Sequence, residues 1–226
     1  MSTSKVVRGL ELKLIRDRHV FPPSRVSLLM ARYMKVKQDE EVLDIGTGTG
    51  FLALTTSMLG ARRVVGTDIS PRAVRVARAN AQLNRVGNIE LILGDVYQPI
   101  RDKSFDLIIC NPPMTPSPRR VNVSTWGGYD GRWVLDEVLR GAPVHMRPGA
   151  RLMVPTISVC GIQRTTSALE ALGFRYRILS QETHEFSQLM TRLLPHISTL
   201  PCSRVLYKAG KPQYGVSLFE ATREAE

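Results

Sequence analysis

Val42-Leu43-Asp44-Ile45-Gly46-Thr47-Gly48-Thr49-Gly50 decides the fold. The first four residues read as a short buried strand, and the apolar run from Phe51 to about Leu59 reads as a helix. Between them, glycine at every second position lets the backbone turn sharply and come close to a ligand, while free N–H groups at the helix start face polar groups. Folds of several chemistries share such a turn. The dinucleotide-binding form is G-x-G-x-x-G, whereas this one is G-x-G-x-G. Asp68 ends the next strand about twenty residues on, where a carboxylate can accept hydrogen bonds from both ribose hydroxyls.

Outward from this loop, short β-rich runs alternate with helical periods, the pattern of a doubly wound parallel sheet. Residues 63–67 form the second strand. Ser70 caps the helix that Pro71 opens, with Val74, Ala77 and Ala81 on one face and an end near Gly87. Strands follow at 89–93, 105–110, 150–155 and 174–179, with helices at 133–145 and 163–172, the latter stopped by Gly173. Residues 183–213 break the rhythm and read as an insertion before a last strand at 216–221. Residues 1–40 read as a cap, with a strand-like stretch at 10–15 and a helix after Phe21-Pro22-Pro23-Ser24. The whole is one domain with seven strands.

The 226 residues, 43% of them hydrophobic, suffice for one well-buried core and exclude a disordered chain. No apolar run approaches the roughly 20 residues of a membrane-spanning helix, and residues 1–8 lack the apolar stretch of a secretory signal. Cys110, Cys160 and Cys202 lie too far apart for a disulfide framework or a metal knuckle and suit a reducing, cytoplasmic setting. His184 and His196 have no metal-like spacing and read as packing or surface residues. Thirty-one basic against twenty acidic residues leave +11, spread along the chain. Such a surface suits a polyanionic partner such as rRNA, tRNA or the ribosome.

Asp106-Leu107-Ile108-Ile109-Cys110-Asn111-Pro112-Pro113-Met114 supplies the chemistry. It resembles the D-x-x-x-x-N-P-P-[Y/F] motif of class I amino-methyltransferases, which use S-adenosyl-L-methionine. With residues 42–50, Asp68 and Asp95, the resemblance covers roughly residues 20–180. It implies a Rossmann-like, mostly parallel seven-stranded α/β sheet with one antiparallel strand near the C-terminus. It assigns Asn111 and Pro112 as catalytic. Asp44, Gly46, Thr47, Gly48, Gly50, Asp68, Ile69, Asp95, Val96 and Asn111 face the cofactor, and Pro113 and Met114 face the substrate. The physics agrees. A planar nitrogen is a poor nucleophile because its lone pair is delocalised. Acceptors at the Asn111 side chain and the Pro112 carbonyl take its two hydrogens and aim the lone pair at the sulfonium methyl. Proline restricts its own backbone and that of the residue before it, which keeps the acceptors rigid. Met114 departs from the motif: its thioether can pack on a planar group but cannot stack as a ring does.

Two further stretches resemble HemK-type protein glutamine methyltransferases. One is Val20-Phe21-Pro22-Pro23-Ser24 before an apolar helix. The other is Trp126-Gly127-Gly128-Tyr129-Asp130-Gly131-Arg132-Trp133, whose glycines fold a loop over the cleft and whose Arg132 is placed to meet a carboxylate or phosphate. The resemblance implies N5-methylation of the glutamine in the Gly-Gly-Gln loop of a peptide-chain release factor. The short form is like archaeal and eukaryotic members, some of which need a small activating partner protein. An rRNA or tRNA enzyme acting on adenine N6 or guanine N2 stays open, supported by the charge and by residues 116–120. So does a catalytically silent, cofactor-binding subunit.

Overall fold

The computed structural model describes residues 2–122 and 124–223. A hairpin of β1 (Ser2–Val7) and β2 (Leu10–Ile15) comes first, joined at Arg8 and Gly9, both with positive φ as a tight two-residue turn requires. Helix α1 (Arg25–Tyr33) follows, its start closed by a reciprocal capping box between Ser24 and Ser27. Then come β3 (Glu41–Ile45), α2 (Phe51–Met58), β4 (Arg63–Asp68), α3 (Pro71–Leu83), β5 (Ile89–Leu93), β6 (Phe105–Cys110) and α4 (Trp133–His145). The chain ends with β7 (Met146–Ile157), α5 (Ile162–Ala171), β8 (Phe174–Glu185), α6 (Gln188–Arg192), α7 (Leu194–Ile197), β9 (Leu206–Lys208) and β10 (Lys211–Arg223).

The main sheet runs β5-β4-β3-β6-β7-β10-β8, with β9 paired to β10 beside this path. Strands β5, β4, β3, β6 and β7 are parallel, and β10 lies antiparallel between β7 and β8. This is the expected mostly parallel sheet with an antiparallel strand near the C-terminus, and the short β9 adds an eighth strand to the seven expected. The order reverses between β3 and β6, so loops leaving their C-terminal ends diverge to opposite faces and open a crevice.

Alternation along the strands builds two cores, as a sheet covered on both faces requires. Val42 joins Leu12, Leu29, Met30 and Leu54 beneath the hairpin, α1 and α2. Its neighbour Leu43 joins Ile108, Leu135, Leu139 and Phe219 beneath α4 and α5.

Four boundaries differ from the sequence reading. Strand β1 went unread because Ser-Thr-Ser-Lys shows no apolar alternation and only Val7 of this strand is buried. Helix α3 stops at Leu83 rather than near Gly87: Arg85 takes a left-handed φ of 56°, and Asn84 exchanges hydrogen bonds with the backbone of Lys13. Strand β7 starts as soon as α4 ends, earlier than the apolar stretch implied. Strands β8 and β10 take up residues 183–185 and 211–213, leaving 186–210 between them. Their extra residues escaped notice because β8 is the outer edge of the sheet and mostly polar and exposed there.

Candidate functional site

The glycine loop is built as its spacing demands. Gly46, Gly48 and Gly50 have φ of 70°, 57° and 79°, which side-chain-bearing residues rarely adopt. The N–H groups of Gly46 and Thr47 both donate to the Thr67 carbonyl, at 2.8 and 2.9 Å, tying the turn to the end of β4. A Cβ on Gly46 would meet nothing within 4 Å, so the backbone there is open to close approach. Gly50 serves differently. It starts α2 and lies against Ala77 of α3, 3.1 Å from where its Cβ would be, outside the cleft lining.

Two carboxylates underlie the turn. Asp44 Oδ2 accepts from Thr47 Oγ1 at 2.7 Å and from the Ala53 N–H at 3.1 Å. Its burial pushes the carboxyl up to about 7 against these hydrogen bonds, with the charge of Asp68 adding to the rise. Asp68 accepts the Gly48 N–H on Oδ2 at 2.8 Å and the Ser70 N–H on Oδ1 at 2.9 Å. Burial raises it too, against both bonds. Each Asp68 oxygen keeps a second lone pair, enough for two hydroxyls. At the end of β5, Val96 takes a positive φ of 42°, and its carbonyl accepts from Thr67 Oγ1 at 3.2 Å, which brings Asp95 beside the same crevice.

These parts line one cleft of about 700 Å³. Asp44, Gly46, Thr47 and Gly48 form its floor, and Asp68, Ile69, Asp95 and Val96 one wall. Asn111, Pro112 and Pro113, which follow β6, form the other. Asn111 Nδ2 donates to Ser27 Oγ at 3.0 Å. That leaves Oδ1 as the free end of the amide: among the described residues nothing donates to it, nor to the Pro112 carbonyl. Two unpaired oxygen acceptors therefore border the cavity that the glycine turn opens into.

Two residues assigned to the substrate lie elsewhere. Met114 is 8% exposed and packs in the core, and its carbonyl accepts from Cys160 Sγ. Arg132 is 1% exposed and outside this cleft. Its guanidinium donates to Asp136 Oδ1, to the carbonyls of Cys160 and Gly161, and to Thr165 Oγ1. It does meet a carboxylate, but one of its own chain, and the i,i+4 spacing to Asp136 was the sequence signal for that. Conversely, Ser27, Trp126 and Trp133 line the cleft without having been singled out. No local pattern marks Ser27, whereas the two tryptophans flank the glycine-rich stretch read as a loop over the cleft but were given no role of their own. His184 is buried against Glu182, and His196 meets the Tyr129 carbonyl. Among the described residues no group of His, Cys, Asp and Glu could hold a metal, and no helix is long and apolar enough to cross a membrane.

A parallel sheet with this strand order, a G-x-G-x-G turn, an acidic residue ending β4 and an Asn-Pro-Pro loop after β6 together define a class I methyltransferase. The solved T. thermophilus 16S rRNA guanine-N2 methyltransferase, bound to S-adenosylmethionine and guanosine, has the same fold. Its TM-score is 0.64 at 17% identity, over 99% of this chain and 50% of that one. The methyltransferase small domain family model matches residues 11–169, and the chain belongs to that family. A Methanocaldococcus jannaschii protein provisionally named a protein N5-glutamine methyltransferase is 32% identical over 190 residues, 81% of this chain and 94% of that protein. The release factor glutamine methyltransferase of Cereibacter sphaeroides is 36% identical over 145 residues, 58% of this chain and 51% of that enzyme. The chain thus spans nearly all of the archaeal relative and about half of the bacterial one. It is an S-adenosylmethionine-dependent methyltransferase. The residues present fit that cofactor, with an open glycine backbone and a carboxylate that keeps lone pairs for a ribose.

Proposed function

We propose that this methyltransferase acts on a planar nitrogen, the side-chain amide of a glutamine in a peptide-chain release factor, giving N5-methylglutamine. The observation that carries this reading is the pair of free acceptors, Asn111 Oδ1 and the Pro112 carbonyl, beside the glycine-turn cavity. A primary amide presents two hydrogens in one plane. Two fixed acceptors receive both, hold the nitrogen in place and favour its pyramidal form. Bound S-adenosylmethionine supplies an electrophilic methyl group. The methyl would leave S-adenosylhomocysteine behind as the N–C bond forms, and the nitrogen, now acidic, would lose one hydrogen as a proton to water by way of the hydrogen bond to Asn111 or Pro112. No side-chain base is required. In this reading Asp68 holds the ribose, Asp95 the adenine amino group, and Asp44 with Gly46, Thr47 and Gly48 the rest of the cofactor, while Pro113 borders the acceptor.

The names of the archaeal and bacterial relatives support glutamine as the acceptor. Residues 1–40 act as a cap that closes the cofactor side, and residues 186–210 help to recognise the macromolecular target. The latter placement is supported by the contact of His196 with Tyr129, in the loop beside the cleft. The reaction belongs to the cytoplasm, where release factors work, and a small activating protein is a candidate partner.

One observation favours RNA instead: Arg120 lines the cleft of a chain with +11 net charge. Transfer of labelled methyl from S-adenosylmethionine into cell extract, followed by RNase or protease, separates the two. Label released by protease supports glutamine. Label released by RNase overturns it in favour of a base nitrogen, and no label with cofactor still bound points to a silent subunit.

A further inference from the structure

The position where the motif places an aromatic ring against the substrate holds Met114, and Met114 is buried in the core. The cleft draws its ring surface from elsewhere. Trp126 and Trp133 both line it, with centroids 5.9 Å apart and planes at 45°. Trp126 is fixed in place. Its Nε1 donates to the Ser117 carbonyl at 3.1 Å, and the Arg120 guanidinium lies 5.8 Å from its ring centroid. Trp133 donates its backbone N–H to the Gly127 carbonyl at 2.8 Å as α4 begins. Its side chain is 61% exposed. A large aromatic left in water on the wall of a cleft is a surface built for contact.

The glycines before it set that surface against the reacting end of the site. A Cβ on Gly127 would fall 2.6 Å from the Pro113 carbonyl, so the backbone of the tryptophan segment lies directly on the Asn-Pro-Pro loop. A Cβ on Gly128 would fall 3.1 Å from Trp133 Cβ, and its φ of 90° suits only glycine. Trp133 is therefore registered to Asn111–Pro113 through the close approach of Gly127 to Pro113 and of Gly128 to Trp133.

We infer that Trp133 is the specificity-determining surface for the acceptor, its indole face lying on the planar amide of the glutamine and the adjoining glycine backbone, with Trp126 behind it. This rests on the glutamine reading above. A glutamine side chain is flexible, and acceptors at its tip fix the nitrogen only if the stem is also held. A flat indole does that for a segment without bulky neighbours.

The test is methyl transfer to the purified release factor of the same organism by wild type, Trp133→Ala and Trp133→Phe, with cofactor affinity followed by calorimetry. The alanine variant is expected to raise KM for the release factor about tenfold or more while kcat falls less than about threefold. The phenylalanine variant should return KM to within about threefold of wild type, and cofactor affinity should stay unchanged in both. An alanine variant with wild-type KM would overturn the role of Trp133 and leave the glutamine reading intact. Phenylalanine no better than alanine would also overturn it, since a flat ring would then not be what matters. Wild type that methylates RNA but no release factor would overturn the glutamine reading, and this inference with it.

Discussion

Asn111 and Ser27 are 84 residues apart in the chain, yet Asn111 Nδ2 lies 3.0 Å from Ser27 Oγ. Ser27 is the third residue of α1 and the partner of the N-cap Ser24, whose N–H its Oγ also accepts at 3.2 Å. With Nδ2 donating to Ser27, the Asn111 amide presents its oxygen as an acceptor. The capping box of a helix before the sheet thus helps to orient an amide after β6.

Ser27→Ala removes that restraint. A hydrogen bond of this kind contributes about 1 kcal/mol, so turnover should fall roughly fivefold if the restraint is needed only as the methyl moves. Cofactor affinity should change little, and Ser27→Thr, which keeps the hydroxyl, should recover most of the loss. Single-turnover rates of the three proteins decide it. Equal rates in all three would mean that Asn111 holds its orientation without help.

Asn111→Ala and Asp68→Ala should separate along two axes. In the proposed reading the first removes an acceptor for the substrate nitrogen. Turnover should drop by about two orders of magnitude or more while cofactor affinity stays within a few-fold. The second removes a charged acceptor, worth about 1.5–3 kcal/mol, and frees the Gly48 N–H. Cofactor affinity should weaken at least tenfold, roughly. Calorimetry paired with initial rates gives both numbers, and a swap of the two phenotypes would refute the assignment.

Local signals carried the parts of the fold that were legible. The run from Val42 to Gly50 encodes a strand, a turn and a helix start in adjacent residues, and Ser70-Pro71 encodes a cap and a first turn; both formed as read. Asn111-Pro112-Pro113 stood out because two prolines after a nearly all-apolar strand have few structural uses. What escaped depends on distant partners. Ser27 matters only because residue 111 folds beside it. Trp133 lines the cleft only because Gly127 lies on Pro113. Strand β1 and the second half of β8 escaped because paired edges satisfy backbone groups without requiring an apolar side-chain pattern.

Arg132 gives a prediction of the opposite kind. Its buried guanidinium makes five hydrogen bonds, two of them to the half-exposed Asp136, and none reaches the cleft. Arg132→Ala takes a donor from the carbonyls of Cys160 and Gly161 and the charge partner from Asp136, and should cost about 3 kcal/mol of stability. Activity per folded molecule should remain near wild type at a temperature where the variant is still folded. A variant with unchanged melting temperature but lost turnover would return Arg132 to the substrate.

Asp44 makes the site sensitive to pH, and the sign follows from its environment. Folding raises its carboxyl from an ordinary 3.8 to about 7, mainly through burial. Between these values the folded protein holds a proton that the unfolded chain has released, so this group favours folding at low pH. Its contribution declines as pH rises from about 4 to about 7 and is constant above that. Asp44→Asn cannot titrate. The melting temperature of wild type relative to this variant should fall across that window and level off beyond it. A cationic cofactor lodged against Asp44 favours the ionised carboxylate, so binding near pH 6 should release a proton. Calorimetry in buffers of different ionisation enthalpy measures that release directly. The same heat in every buffer would show that Asp44 is already ionised or does not sense the ligand, and the link between its burial and cofactor binding would fail.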